Sequence, residues 1–259
     1  MNILDAIVEH KKMEVLKRKQ KRPLSNLNRF PFYRRKTNGI DSAGLIDTPG
    51  IIAEFKRKSP SKGPLNMEAN PVAVAGAYRD AGVAAMSILT DRSFFGGSFS
   101  DLKHVRESYS DLVLLRKDFI IDPYQLHEAS AYGADMVLLI ATLLDKNEVE
   151  DLALEASSLG LQVLFEVHDR DELEKYSDSI GYVGVNNRDL KTFQVDIDRS
   201  MELIGQMPEG VVPVSESGLN SSDEIKRLWE AGFQLFLLGE SFMKEQDPGK
   251  ACKKLMEKL

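Results

Sequence analysis

The chain has 259 residues, and its 42% hydrophobic and 29% charged residues are typical of a globular protein. Its 34 basic residues against 40 acidic ones give a net charge of −6, which argues against general nucleic-acid binding. The one cysteine, Cys252, excludes an intrachain disulfide, so we expect a reducing, cytoplasmic setting. Apolar runs such as Met136–Ala141 are far shorter than the ~20 residues of a membrane-spanning helix, so we expect no membrane contact.

The first 50 residues predict an extension that precedes a repeating pattern. From Asn2 to Lys21, apolar residues recur at three- and four-residue intervals between lysines and arginines, which predicts an amphipathic helix. From Arg22 to Gly50, prolines and glycines interrupt the periodicity, so we expect a loop with one short helical turn.

Short apolar runs alternate with longer helical patterns from Ile51 onward. The runs begin 20 to 33 residues apart, and their nearly continuous apolar character indicates strands buried on both faces. Helical segments lie between them, such as Ser222–Ala231, which Gly232 ends. The eight predicted strands are Ile51–Lys56, Ala84–Thr90, Leu112–Asp118, Met136–Ala141, Gln162–His168, Tyr182–Asn187, Val211–Glu216 and Leu235–Gly239.

Eight such units in about 200 residues predict a (β/α)8 TIM barrel of the α/β class. A doubly wound open sheet is the alternative, but eight strands at this spacing favour closure. We therefore expect one domain over residues 1–259, with residues 1–50 as its N-terminal helix and loop extension.

Polar residues end most of the predicted strands, where a (β/α)8 barrel carries its active site. Glu54 and Lys56 lie two residues apart and therefore share one face of the first strand. Opposite charges in a water-poor cavity can hold proton donors and acceptors in defined states, whereas the alternative is an ion-pair network that only stabilises the barrel. The predicted ring comprises Glu54, Lys56, Lys117, Glu166, Asn186 and Glu216.

Glycines at the ends of the last two strands indicate a phosphate site. The pairs Ser217-Gly218 and Gly239-Glu240 would place backbone N–H groups at the barrel mouth, although a tight turn is the alternative for each pair. The loop at 57–63 is basic, and a solvated charged loop is the alternative for it. Beside a phosphate site we expect Ser59 and Lys56 to contact the anion. We therefore expect a phosphorylated small-molecule substrate.

Neither a zinc site nor a dinucleotide-binding motif is expected from the residues. The four histidines lack metal-ligand spacing, and no G-x-G-x-x-G motif follows a strand. We expect His168 to point to the face opposite Glu166, and Cys252 to be an inert thiol.

Several segments closely resemble, in the same order, the motifs of the indole-3-glycerol-phosphate synthase family, and the resemblance spans the chain. The most specific is IIAEFKRKSPSKG at 51–63. The others are LTD at 89–91, FFGGS at 94–98, RKDFI at 116–120, FEVH at 165–168, VNNRDL at 185–190 and VSESG at 214–218.

The resemblance implies a carboxy-lyase of tryptophan biosynthesis that needs no cofactor or metal. It would convert 1-(2-carboxyphenylamino)-1-deoxyribulose 5-phosphate to indole-3-glycerol phosphate by ring closure, decarboxylation and dehydration. Lys117 resembles the general acid that protonates the substrate carbonyl oxygen, and Glu166 resembles the general base of dehydration. Lys56 resembles the lysine that contacts the substrate carboxylate, and either lysine could protonate the departing hydroxyl. Glu54 and Asn186 resemble orienting partners.

The same resemblance implies a set of binding residues. Glu240 brings a carboxylate to the phosphate end, so we expect its side chain either to point away from the ligand or to repel it. The phosphate set comprises Ser59, Ser217, Gly218, Gly239 and Glu240, the last three through backbone N–H groups; Arg188 is a supporting loop arginine, Glu216 lies in the same pocket, and Phe95, Phe119 and Leu138 form an apolar wall.

Two other functions remain open at this stage. One is another phosphate-binding barrel, such as a phosphoribosylanthranilate isomerase or a Schiff-base aldolase; the aldolase requires a lysine of depressed pKa. Glu54, Asp118 and Glu166 near Lys56 or Lys117 would instead raise that pKa. The other is a non-catalytic binder of a phosphorylated ligand. We expect a monomer or a weak homo-oligomer.

Overall fold

The computed structural model describes residues 3–40, 47–189 and 192–259. In these ranges eight parallel strands close into a barrel, each pairing with the next along the chain and the last with the first. The predicted (β/α)8 barrel is confirmed, and the open-sheet alternative is wrong. The strands are β1 (Gly50–Phe55), β2 (Ala85–Leu89), β3 (Leu114–Lys117), β4 (Met136–Ile140), β5 (Gln162–Val167), β6 (Tyr182–Asn186), β7 (Val212–Glu216) and β8 (Leu235–Leu238).

The strand bounds differ from the predicted ones by no more than two residues. Most predicted strands included a polar or small residue, such as Lys56 or His168, that lies just past the observed end. Three parts of the sequence predictions lie outside the described residues: the helix start at Asn2, residues 41–46 of the predicted loop, and Leu190 of the family motif.

Alternation along each strand separates two apolar cores. In β1, Ile51, Ala53 and Phe55 pack against the helical layer, whereas Ile52 belongs to the cluster inside the barrel. The side chain two residues after an inward apolar residue also points inward. Glu54 therefore follows Ile52 into the lumen. By the same period the inward-facing residues Leu115, Leu164 and Val214 are followed by Lys117, Glu166 and Glu216.

Helix caps agree with the local sequence. Asp145 and Ser221 each form a capping box with the glutamate three residues later, and Gly133 ends its helix with φ 89°. No helix in the described ranges is both long and apolar enough to cross a membrane. The helices are α1 (Ile3–Lys21), α2 (Leu24–Leu27), α3 (Pro71–Asp80), α4 (Phe99–Ser108), α5 (Pro123–Tyr132), α6 (Lys146–Ser158), α7 (Arg170–Leu173), α8 (Asp198–Leu203), α9 (Ser222–Glu230), α10 (Glu240–Met243) and α11 (Pro248–Met256), with 3-10 turns at Ala141–Leu143 and Ile204–Gln206.

The N-terminal helix packs on the barrel. Leu4 and Ile7 of α1 are buried in the cluster inside the barrel, and Val15 packs with Leu27 and Tyr124. The short α2 is the helical turn expected between Arg22 and Gly50. The extension thus contributes to the same core as the strands.

Candidate active site

A cavity of about 450 Å³ lies at the carboxyl ends of the barrel strands. Fourteen of the fifteen predicted site residues line it. The exception is Glu216, which is fully buried behind the cavity wall as an ion-pair partner of Lys117. The lining residues are Glu54, Lys56, Ser59, Phe95, Lys117, Phe119, Leu138, Glu166, Asn186, Arg188, Ser217, Gly218, Gly239 and Glu240.

Two lysines and two glutamates form a continuous chain of alternating charge. Lys56 Nζ lies 2.5 Å from Glu54 Oε1, and Glu54 Oε2 lies 3.4 Å from Lys117 Nζ. Lys117 Nζ in turn donates to Glu216 Oε2 at 3.0 Å. Lys117 therefore bridges two buried carboxylates, and its ammonium group is held in one position.

This arrangement separates the protonation states of Glu54, Lys117 and Glu216. Burial alone would raise the pKa of Glu54, but Lys56 and Lys117 lower it to about 2, so the carboxylate stays charged. Burial would lower the pKa of Lys117, but Glu216, Glu54 and Glu166 together raise it. Burial raises the pKa of Glu216 to about 7, because the attraction of Lys117 only partly offsets it and Glu166 repels. At neutral pH Lys117 therefore carries a proton to donate.

Two glycines make room for the two carboxylates. A Cβ at Gly239 would lie 2.5 Å from Glu54 Oε1, and a Cβ at Gly184 would overlap Glu216 Oε1. Gly184 lies on β6, beside the strand of Glu216, and Gly239 directly follows β8, beside the strand of Glu54. The close approach of carboxylate to backbone thus requires glycine at 184 and 239.

An oriented amide holds Glu166 at the cavity. Asn186 Nδ2 donates to Glu166 Oε1 at 3.1 Å, while Asn186 Oδ1 accepts from the backbone N–H of Arg188 at 3.0 Å. The backbone bond fixes which end of the amide faces Glu166. Asn186 therefore orients this carboxylate, which is 3% exposed.

The expectation for His168 is wrong. His168 Nε2 lies 3.8 Å from Glu166 Oε1, so the imidazole points toward Glu166 and not to the opposite face. The reason is the period of two along an extended chain, which places residues 166 and 168 on the same side. The same period in the sequence indicates that His168 neighbours Glu166, and the prediction of the opposite face did not follow it.

An apolar wall faces the polar groups. The rings of Phe95 and Phe119 lie 5.9 Å apart, and Leu138 adjoins them in the same cluster. Leu4 and Ile7 of α1 complete this wall, which the sequence analysis did not predict. Their spacing of three residues indicated an apolar helix face but not the cavity it covers.

The turns after β1, β7 and β8 form the predicted phosphate end of the cavity. Ser217 and Gly218 have φ values of 68° and 78°, a backbone conformation that is uncommon for serine. Ser59 lies in a short hairpin that pairs Lys58–Ser59 with Gly63–Pro64. Glu240 begins α10.

The Glu240 side chain pairs with two cations. One of its carboxylate oxygens lies 3.5 Å from Lys62 Nζ and the other 3.5 Å from Arg188 Nη2. The carboxylate expected to repel an anion is thus partly neutralised.

No group of three or more His, Cys, Asp and Glu residues that could hold a metal ion occurs in the described part of the chain. The absence of a metal and a cofactor from the reaction stays a prediction from the sequence. Asp118, expected near Lys56 or Lys117, pairs instead with Lys11 and Arg116.

Fold and cavity together define an enzyme-like (β/α)8 barrel with lysines and carboxylates at the carboxyl ends of its strands. Residues 4–255 match the family described as indole-3-glycerol phosphate synthase. The chain belongs to the indole-3-glycerol phosphate synthase family, whose members are carboxy-lyases of tryptophan biosynthesis.

Curated relatives that carry this family name match the chain over nearly their full length. The chain is 43% identical to the indole-3-glycerol phosphate synthase of Bacteroides thetaiotaomicron, with 100% of this chain and 99% of the relative covered. It is 42% identical to that of Salinibacter ruber, with 98% of this chain and 95% of the relative covered.

Among solved structures, 3-hexulose-6-phosphate synthase from Salmonella typhimurium matches with a TM-score of 0.65 at 15% identity. The match covers 81% of this chain and 98% of that one. That likeness concerns the fold alone.

Proposed function

We propose that this chain catalyses ring closure, decarboxylation and dehydration of 1-(2-carboxyphenylamino)-1-deoxyribulose 5-phosphate to indole-3-glycerol phosphate. One observation carries the proposal: Lys117 lies at the cavity wall between Glu54 and Glu216, 3.4 Å and 3.0 Å from its Nζ. These carboxylates raise the pKa of Lys117, so a proton donor faces the cavity at neutral pH.

Lys117 is the general acid of ring closure in this proposal. It protonates the substrate carbonyl oxygen as the new carbon–carbon bond forms, and loss of CO₂ follows. Glu54 and Glu216 hold its ammonium group in place. Lys56, 2.5 Å from Glu54, contacts the substrate carboxylate. Protonation of the departing hydroxyl is open to Lys56 and to Lys117.

Glu166 is the general base of dehydration. Asn186 fixes its Oε1, and the carboxylate lines the cavity. A positioned base typically contributes about 10² to 10⁴ in rate. Glu166 therefore removes a proton from the substrate as water leaves.

The remaining cavity residues bind the two ends of the substrate. Phe95, Phe119 and Leu138 contact the anthranilate ring through the apolar wall. The turns after β1, β7 and β8 surround the phosphate, because glycine backbone permits close approach of an anion. The phosphate contacts are Ser59, Arg188, Ser217, Gly218, Gly239 and Glu240.

Three alternatives fit the observations less well. A Schiff-base aldolase needs an unprotonated lysine, whereas the pKa of Lys117 is raised. Another phosphate-binding barrel activity, such as phosphoribosylanthranilate isomerase, is not supported by the family match. A binder without catalysis has no need for the buried Lys117 between Glu54 and Glu216.

We also propose that residues 1–259 form one domain, because Leu4 and Ile7 of the extension line the same cavity as the strand ends. A monomeric or weakly associated state and a cytoplasmic location stay predictions from the sequence. Cys252, the one cysteine, supports the location.

The test is conversion of the substrate to indole-3-glycerol phosphate by the full chain, with Lys117→Ala and Glu166→Ala alongside. Each variant should lose at least ~10²-fold in kcat. Lys103→Ala, on the outer helix α4, is the matched control and should turn over like the parent. Binding without turnover by the folded parent would favour the non-catalytic alternative, and full activity in either variant would remove that residue from its role.

A further inference from the structure

A second cavity of about 380 Å³ adjoins the active site. Leu4 of α1 lines both cavities, and Asp169 and Arg170 at the rim of the second are exposed to solvent. Its wall is mostly polar and includes Thr142, His168, Glu172, Arg199 and Glu202. The proposed chemistry uses none of these residues.

His168 connects the two cavities. Its Nδ1 lies 3.0 Å from Glu172 Oε2, and since a carboxylate only accepts, Nδ1 carries the proton. Glu172 is held in turn by the backbone N–H of His168 at 2.7 Å and by the Thr142 hydroxyl at 2.6 Å. This arrangement fixes the tautomer and leaves the Nε2 lone pair of neutral His168 unprotonated.

That nitrogen faces the proposed general base. His168 Nε2 is 3.8 Å from Glu166 Oε1, and among the described residues it is a buried nitrogen with no hydrogen-bond partner. Glu166 itself is only 3% exposed, so little of its carboxylate can pass a proton directly to solvent. A base in this position must pass on one proton in every turnover.

We propose that His168 is a positioning residue that acts through Glu166, relaying to solvent the proton that Glu166 removes from the substrate. The inference rests on the proposed role of Glu166. In the first step the O–H bond of the Glu166 carboxylic acid breaks and an N–H bond forms at His168 Nε2, either directly after a small side-chain rotation or through one water. In the second step the imidazolium side chain rotates until Nε2 reaches the second cavity. There the Nε2–H bond breaks, water takes the proton, and neutral His168 returns to its bond with Glu172.

The surrounding charges suit this transfer. His168 is faced by Glu166 from β5, Glu172 from α7, Arg199 from α8 and Thr142 from the 3-10 turn after β4. Burial lowers the pKa of His168, but the two carboxylates outweigh burial and Arg199, so the pKa is raised. A more basic imidazole accepts a proton from a carboxylic acid more readily. As pH falls through the pKa of His168, the relay is already protonated and turnover should decline.

The experiment compares kcat and its pH profile in the parent, His168→Ala, His168→Asn and the exposed control His104→Ala. Asparagine keeps a donor for Glu172 but cannot carry a proton. We expect both His168 variants to lose about tenfold in kcat with KM changed less than about twofold. Added imidazole should restore most of the kcat of His168→Ala. In the His168→Asn variant the acidic limb of the profile should change.

Each result decides the inference. Parental kcat in His168→Asn would show that only the hydrogen bond to Glu172 matters, and would overturn the relay. Loss of activity in His168→Ala without rescue by imidazole would overturn it as well. Glu166→Gln separates this inference from the proposed function: if that variant keeps full activity, Glu166 is not the base. If Glu166→Gln is inactive and both His168 variants are active, only the relay fails.

Discussion

Lys11 Nζ, on the first helix, lies 2.8 Å from Oδ1 of Asp118, the residue that follows Lys117 in the chain. Both side chains are fully buried. The same Nζ lies 2.8 Å from Asp91 Oδ2. The two aspartates accept in turn from the backbone N–H groups of Phe95 and Phe119, the aromatic pair of the cavity wall. Lys11 thus ties α1 to both loops that form this wall.

Replacement of Lys11 should therefore reduce both stability and activity. Lys11→Met leaves two buried aspartates without their shared cation, and breaking a buried ion pair typically costs about 3–5 kcal/mol in the free energy of unfolding. Asp118 keeps Arg116 as a partner, so we expect the lower end of that range. Urea unfolding measures the loss, and kcat/KM should fall as the aromatic wall loosens.

The matched control for Lys11→Met is Lys12→Met. Lys12 is the next residue on the same helix, and its pair with Glu9 is exposed. That variant should unfold at the parental midpoint, since exposed pairs contribute little. Equal effects of the two substitutions would show that the buried cluster has no special role.

Gly184 should not tolerate a side chain. Gly184→Ala places a methyl group against the Glu216 carboxylate, which must then move away from Lys117. Overpacking of this kind costs about 1–3 kcal/mol, and kcat should fall because Lys117 loses a partner. Gly181→Ala is the control, because a Cβ there meets no atom within 4 Å. Thermal unfolding and the turnover assay would separate the two variants; similar behaviour of both would contradict the packing argument.

Much of this site could be predicted from residue order, because a strand alternates with a period of two. Glu54, Lys117 and Glu166 each follow an inward apolar residue by two positions, so their common location in the lumen follows from the pattern. The closed barrel follows from eight strands at regular spacing. Such patterns involve only neighbouring residues, and they are enough to predict which side chains of a strand point into the barrel.

The remaining features depend on contacts between distant segments. Lys11 lies among other lysines in an amphipathic helix, where a lysine is normally solvated, and only its partners 80 and 107 residues away explain its burial. The packing of Leu4 against the cavity likewise depends on where α1 docks. The sequence places Glu216 in the predicted ring, but its direct pairing with Lys117 follows only from the barrel geometry.

Stability should depend on pH through Glu216. Burial raises its pKa from 4.5 to about 7, so between these values the folded chain binds more protons than the unfolded chain. The free energy of unfolding therefore contains a contribution that falls as pH rises through this window. Glu216→Gln should remove this contribution, whereas Glu209→Gln, at an exposed site, should keep it. Urea unfolding at the two ends of the window measures the slope, and an unchanged slope in Glu216→Gln would contradict the assignment.

Glu240 should weaken the binding of the substrate phosphate. Its carboxylate pairs with Lys62 and Arg188, two cations that line the cavity, and partly neutralises both. In Glu240→Gln these cations are freed and a negative charge near the phosphate is lost, so KM should fall about two- to fivefold with kcat little changed. Inhibition by inorganic phosphate should strengthen by a similar factor, and high salt should reduce both effects because these groups are partly exposed. Glu245→Gln, an exposed change shortly after α10, should alter neither value. An increase in KM for Glu240→Gln would mean that the pair with Arg188 positions this arginine for binding, and that its loss outweighs the relief of repulsion.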